Sequence, residues 1–189
     1  MLISETYRDQ QQQLHESRPD YGVASAQYAP LVSEICNKMQ ISHLLDYGCG
    51  KGRLFKNLKA DHKMTLQAYD PGVSEYSSPP VSAEMVACID VLEHIEPECL
   101  DEVLDDLERL TEVVGLFTVH CGPAVKVLPD GRNAHLIQQP PEWWLPKIMD
   151  RWELQSFNRD DHGFWVIVYA NSVFAKPEGI ESDTDIRRV

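Results

Sequence analysis

The 189 residues carry 30 acidic side chains against 17 basic ones, a formal net charge of −13. That length suits one domain with a sizeable core, and the acidic balance weighs against a nucleic-acid partner, whose binders carry a basic patch that replaces phosphate counterions. No apolar run approaches a membrane span and no charged-then-apolar leader is visible, so a cytoplasmic protein with no membrane contact is expected.

Residues 1–25 are polar, with glutamine from Gln10 to Gln13, and read as a mobile or lid-like N-terminal segment. One domain is expected over 26–175, and a frayed polar tail over 176–189. Tyr28, Leu31, Val32, Ile35, Cys36 and Met39 recur at helical spacing and predict a helix with one core-facing stripe. A short apolar strand over 43–47 then enters the turn Gly48-Cys49-Gly50-Lys51-Gly52, followed by a helix over 52–60. Glycines there admit positive φ and close approach of a ligand, and the turn is expected to aim backbone N–H groups and a helix N-terminus into a crevice.

A second strand over 64–69 ends at Asp70, an acid about 20 residues after the glycines, where it can accept from ribose hydroxyls. Met85 to Ile89 reads as a buried strand. Pro97 opens a helix whose buried stripe is Leu100, Val103, Leu104, Leu107 and Leu110, while Asp101, Glu102, Asp105, Asp106 and Glu108 form its solvated face. Val113 to Val119 is the next strand. A loop with Pro and Gly leads to a Trp-rich helical stretch over 142–151 that Pro146 kinks or delays. Two runs, 152–157 and 164–170, predict a terminal hairpin. Cys36, Cys49, Cys88, Cys99 and Cys121 are odd in number and lack CxxC spacing, which suits reduced, buried thiols, with Cys121 the one considered as a reactive thiol.

Nucleotide sites can be weighed on the same turn. A P-loop needs G-x-x-x-x-G-K-[ST], but Leu45 stands at the first glycine and Gly52 at the hydroxyl position. A dinucleotide fingerprint counted from Gly48 puts Arg53 at its third glycine. Asp46 just before the turn suits a cationic ligand better than phosphates.

Three segments resemble one family. Asp46-Tyr47-Gly48-Cys49-Gly50-Lys51-Gly52 is similar to the D-x-G-x-G-x-G first motif of class I S-adenosylmethionine (SAM)-dependent methyltransferases, Asp70 resembles their ribose-binding acid, and Asp90-Val91-Leu92-Glu93-His94-Ile95 resembles their "vLEHi" segment. The resemblance covers roughly the first 110 residues. It implies an α/β, Rossmann-like sheet, mostly parallel with a C-terminal antiparallel hairpin, and methyl transfer from SAM to oxygen or nitrogen of a small-molecule acceptor. It assigns Asp46, Tyr47, Gly48, Cys49, Gly50, Asp70, Pro71, Asp90, Val91 and Leu92 to the cofactor. Only about 15 residues separate Asp70 from Met85, too few for the family's extra helix and strand, so the edge strand after strand two is expected to be missing. Tyr76 then becomes a candidate stacking ring.

His94, His120 and His135 are candidate general bases for taking the acceptor's proton. Arg132 and Asn133 in the polar turn and Trp143 beyond it are candidate substrate contacts, from their placement alone. Asp90, Glu93 and His94 with His120 or His135 also make a mixed oxygen and nitrogen set for a divalent metal. The Glu93-His94 pair resembles part of the metal signature of RNA 3′-terminal 2′-O-methyltransferases, but Asp90 replaces their first Glu and two consecutive ligands need a turn to converge. No metal is expected. An RNA or nucleotide acceptor, possible with metal assistance, and a non-catalytic SAM-binding subunit are the alternatives.

Overall fold

A computed structural model describes residues 1–18, 21–22 and 24–171; the expected tail over 176–189 lies outside them. Six strands form one sheet in the order β2-β1-β3-β4-β6-β5, with β1 His43–Tyr47, β2 Thr65–Tyr69, β3 Ala83–Ile89, β4 Thr111–His120, β5 Trp152–Arg159 and β6 Gly163–Ala170. The first four pair in parallel and the β5–β6 hairpin joins β4 antiparallel. β1, β3 and β4 are buried over most of their length, as parallel strands covered on both faces must be. β2 forms the edge, half-exposed, and no strand lies beyond it among the described residues, as the short Asp70–Met85 interval predicts.

Helices cover both faces. α2 (Ser25–Met39) and the five-residue α3 (Arg53–Asn57) pack with Leu44, Met85, Ala87 and Leu116 on one side. α4 (Leu100–Leu110) and α5 (Pro141–Met149) pack with Leu45, Val86, Phe117 and Trp152 on the other. α4 buries the five predicted stripe positions, and Arg151 bridges Asp101 and Asp105 on its solvated face. Several lengths differ from expectation: β3 starts at Ala83 rather than Met85, and β4 spans Thr111–His120 rather than 113–119. The helix after the glycine turn stops at Asn57 rather than residue 60. The Trp-rich helix starts on Pro141, since proline needs no N–H partner in a first turn. β5 and β6 run longer, to Arg159 and from Gly163.

The polar N-terminus is helical: α1 (Glu5–Ser17) buries Tyr7, Gln11 and Leu14, one stripe that the glutamine run conceals. Ser4 caps it by accepting from Tyr7 N, and both Ser4 N and Oγ donate to the buried Glu96 carboxylate. Tyr7, Leu14 and Tyr21 pack on Leu128 and Ala134, so α1 and the loop after β4 form a roof over the carboxyl ends of β1, β2 and β3. No described helix is long and apolar enough to cross a membrane.

Candidate active site

Under that roof lies a cavity of about 390 Å³, walled by the glycine turn, Asp70-Pro71-Gly72, Asp90-Val91, the three candidate histidines and α1. The floor is set by glycine. A Cβ on Gly48 would stand 2.3 Å from a Val91 methyl, and one on Gly50 2.6 Å from the Gly22 carbonyl oxygen; both residues have positive φ.

The turn's N–H groups do not point at a ligand. Gly48 N and Cys49 N donate to Tyr69 O, Gly50 N to Asp70 Oδ2, Lys51 N to Gly22 O and Gly52 N to Cys49 O. This corrects the expectation of free donors at a helix N-terminus: five consecutive N–H groups are consumed internally, and α3 is a bare turn and a half. The turn therefore offers shape rather than anion binding. A pyrophosphate would find none of the donors it needs.

Asp70 ends β2 with both oxygens engaged, Oδ2 to Gly50 N and Oδ1 to Gly72 N, each at 2.9 Å. Each oxygen can accept one further hydrogen bond, and Asp70 lines the cavity. Cys49, Pro71, Asp90 and Val91 line it too. Tyr47 lines it in part, but its hydroxyl donates to Asp106 on α4 and its ring packs on Tyr69. Asp46 is buried just below the floor with Oδ2 unpartnered, and burial, then Asp70, lifts its carboxyl to about 7. Leu92 does not reach the cavity. The turn after β3 folds its side chain fully into the core, which removes it from the cofactor set.

Across the cavity from the glycine turn lies a histidine cluster. Asp90 adopts φ +59° with its N–H held by Thr118 Oγ1, and the 3₁₀ turn Leu92–His94 follows. His94 and His135 meet edge to face at 4.7 Å between centroids, as do His135 and His120 in a tilted pair. His94 Nδ1 lies 2.8 Å from Ala134 O and His135 Nδ1 2.7 Å from Gly122 O. A carbonyl only accepts, so Nδ1 carries the proton in each and Nε2 keeps a lone pair. Burial, then His135, holds His94 down at about 4; burial lowers His135 as well. Glu93 is fully buried between these rings. Its Oε1 accepts from His120 N at 2.8 Å, its main-chain oxygen accepts from Ile137 N, and Oε2 has no partner. Burial, then Asp90, raises its carboxyl well above the usual range.

The remaining candidates lie elsewhere. Arg132 is exposed and forked onto Asp130. Asn133 locks the loop, accepting from Ala124 N and His135 N and donating to Ala124 O. Trp143 packs half-buried against Trp144 with Lys147 over its ring. None of the three lines the cavity. Tyr76 sits beyond the glycine turn in a separate, shallower pocket. Burial pushes the Cys121 thiol up to about 11, away from nucleophilic use. Tyr7, Gln11, His15 and Tyr21 are not among the candidates read from the sequence, and of them only the 7/11/14 spacing carries a signal; Glu93 is named there only as a metal ligand.

No protein-family model and no curated protein matches the chain. Solved structures do match in fold. An O-methyltransferase family protein from Burkholderia thailandensis superposes with TM-score 0.64 at 14% identity over 89% of this chain, which spans 63% of that one. The 1,6-didemethyltoxoflavin-N1-methyltransferase of the same organism, solved with 1,6-didemethyltoxoflavin and S-adenosylhomocysteine, superposes with TM-score 0.60 at 14% identity over 87% of both chains. The 16S rRNA methylase ArmA gives TM-score 0.52 at 11% identity over 85% of this chain and 90% of its own. With its parallel sheet, its antiparallel hairpin and its crevice at the strand ends, the chain has the fold of the class I SAM-dependent methyltransferases.

Proposed function

We propose that this chain is a SAM-dependent methyltransferase acting on an oxygen or nitrogen of a small-molecule acceptor. One observation carries the reading: the glycine turn and Asp70 form a close-fitting wall with every turn N–H already satisfied, opposite a histidine cluster in the same cavity. Such a wall suits an adenosine with a cationic tail, with Asp70 on the ribose and the buried, unpartnered Asp46 beneath the methionyl end. It does not suit a dinucleotide.

When bound, SAM supplies an activated methyl group on a sulfonium centre. The chain's own part is to hold the acceptor in line and take its proton. Alignment within a closed cavity supplies much of the rate, and a positioned base adds about 10²–10⁴-fold. His94 is the best placed base, since it is neutral at pH 7 and its Nε2 lone pair is not used by the protein. Glu93 clasps the ends of β3 and β4 and so positions the cluster. The roof of α1 and the loop after β4 leaves space for a compact acceptor, and the acidic composition favours a small molecule over RNA.

Calorimetric titration with S-adenosylhomocysteine, with NADH as control, tests the cofactor. Release of S-adenosylhomocysteine with a panel of hydroxylated and amino acceptors tests the reaction. Binding of NADH in place of S-adenosylhomocysteine refutes the proposal.

A second reading adds a divalent cation. The ligating atoms of Glu93, His94 and His135 lie within 4.8 Å of one another, and the 3₁₀ turn supplies the convergence that consecutive residues need. Fixed Nδ1–H groups with free Nε2 atoms, beside an unpartnered Glu93 Oε2, match how proteins present imidazole and carboxylate to such ions. Cobalt(II) absorption bands that vanish in His135→Ala would favour this version; a flat spectrum would remove it.

A further inference from the structure

His15 is the side chain in the cavity that neither the sequence nor the fold assigns. It stands near the end of α1, and its ring is nearly buried, with 11% of its side chain exposed. Despite that burial, Nδ1 has no hydrogen-bond partner, and Nε2 stops 4.0 Å from Asp70 Oδ2, too far for a hydrogen bond. With Nδ1 unpaired inside the fold, Nε2 is the ring nitrogen turned to Asp70, and among the described residues no protein group closes the gap between them.

Three contacts hold the ring there. Lys51 Nζ, from the glycine turn itself, donates to the His15 main-chain oxygen at 2.7 Å. The Tyr21 ring packs on it at 4.8 Å. Gly22 wraps so closely that a Cβ would stand 2.6 Å from His15 Cε1. None of these uses a ring nitrogen. They place the imidazole against the free side of Asp70.

A gap of 4.0 Å is the span that one hydroxyl can bridge. An oxygen about 2.8 Å from both Nε2 and Oδ2 closes the triangle with an angle near 90° at that oxygen, within the range a hydroxyl tolerates as donor to one partner and acceptor from the other. Ribose hydroxyls of an adenosyl cofactor have this dual character.

We propose that His15 is a cofactor-binding residue that shares one ribose hydroxyl with Asp70, donating to the oxygen whose proton Asp70 accepts. This rests on the methyltransferase reading above. It makes α1 part of the cofactor site rather than a neutral cover: the Lys51–His15 contact ties the helix to the glycine turn, and the Tyr7 hydroxyl ties its other end to the His94 carbonyl.

The test measures affinity for S-adenosylhomocysteine and for its 2′-deoxy and 3′-deoxy analogues, in the unchanged chain and in His15→Ala. His15→Ala should weaken S-adenosylhomocysteine about two- to tenfold, the effect of one neutral hydrogen bond. For one of the two analogues, the penalty for losing the hydroxyl should shrink by the same factor in the variant. A helix merely loosened by the substitution would weaken all three ligands alike and leave both penalties intact, which would overturn the assignment. Should the variant fold poorly, the ring resonances of His15 in the unchanged chain decide. They must shift with S-adenosylhomocysteine and shift less with the analogue lacking the shared hydroxyl; equal shifts overturn the proposal. If the unchanged chain binds none of the three, the methyltransferase reading falls first and this inference with it.

Discussion

Asp70→Ala separates the turn-holding task of this carboxylate from the ribose contact proposed for it. Its oxygens hold Gly50 N and Gly72 N at 2.9 Å each, and each can accept one further hydrogen bond. A hydrogen bond to a charged acceptor contributes about 1.5–3 kcal/mol, so losing the ribose contact should weaken S-adenosylhomocysteine by roughly 10- to 150-fold. The structural task is smaller. The two N–H groups freed by alanine border a cavity that admits water, and a net loss of about 1 kcal/mol for each lowers the melting temperature by roughly 4–8 °C in a chain of this size. Asp70→Asn distinguishes the tasks further. It retains one acceptor for Gly72 N but turns an NH₂ against Gly50 N–H, so it should melt no higher than the alanine variant and yet bind better, since one oxygen remains. Titration calorimetry and a thermal melt on both variants suffice. S-adenosylhomocysteine affinity within twofold of the unchanged chain in Asp70→Ala, with the melt lowered as stated, would show that Asp70 serves the turn alone.

Three further outcomes follow from the same geometry. His94→Ala should cut turnover by about 10²-fold or more with S-adenosylhomocysteine affinity nearly unchanged, and His120→Ala likewise; full activity in either, once an acceptor is found, removes that ring from the base role. Gly50→Ala puts a Cβ 2.6 Å from the Gly22 carbonyl oxygen at φ +51°, so it should release the segment before α2 from the turn and raise protease cleavage there; unaltered cleavage contradicts the close packing. Asp46 holds its proton to about 7 in the fold against 3.8 when unfolded, so its contribution to stability is full at low pH and is lost as pH rises from about 4 through 7. Asp46→Asn should therefore gain on the unchanged chain in urea midpoint across that window and level off above it; a constant difference would mean that Asp46 is not buried as described.

The elements legible in the sequence are those fixed by local pattern. β1 and its glycine turn announce themselves through an apolar run ended by residues with positive φ, and α4 through five apolar positions on one stripe with acids opposite. Contacts between distant segments left no such trace. Ser4 meets Glu96 and Lys51 meets His15, so the helical roof is written in pairs that no local window contains. Glu93 was legible as a candidate ligand but its burial was not: acids are rarely buried whole, and nothing in the order Leu92-Glu93-His94 says that the acid turns inward. Leu92 failed in the same turn, since 3₁₀ geometry sends that side chain to the core and its neighbour His94 to the cavity. The polar stretch around Arg132 and Asn133 promised contacts that the loop spends on itself, Asn133 tying three main-chain groups so that His135 can face inward.

The two ends of the cavity differ in charge, and that difference orders the chemistry. At the glycine turn stand the Asp70 carboxylate and, beneath the floor, Asp46, whose proton is held by burial rather than by a partner. At the other end burial lowers the imidazoles of His94 and His135 toward the neutral form, and burial, then Asp90, raises the Glu93 carboxyl. Under the proposed function a cationic cofactor would be drawn to the Asp70 end, while the acceptor would meet neutral imidazoles rather than a cation competing with the methyl donor. On that reading, methyl transfer would remove the sulfonium charge at the Asp70 end and the acceptor's proton would pass to His94, whose Nε2 lone pair the protein leaves unused.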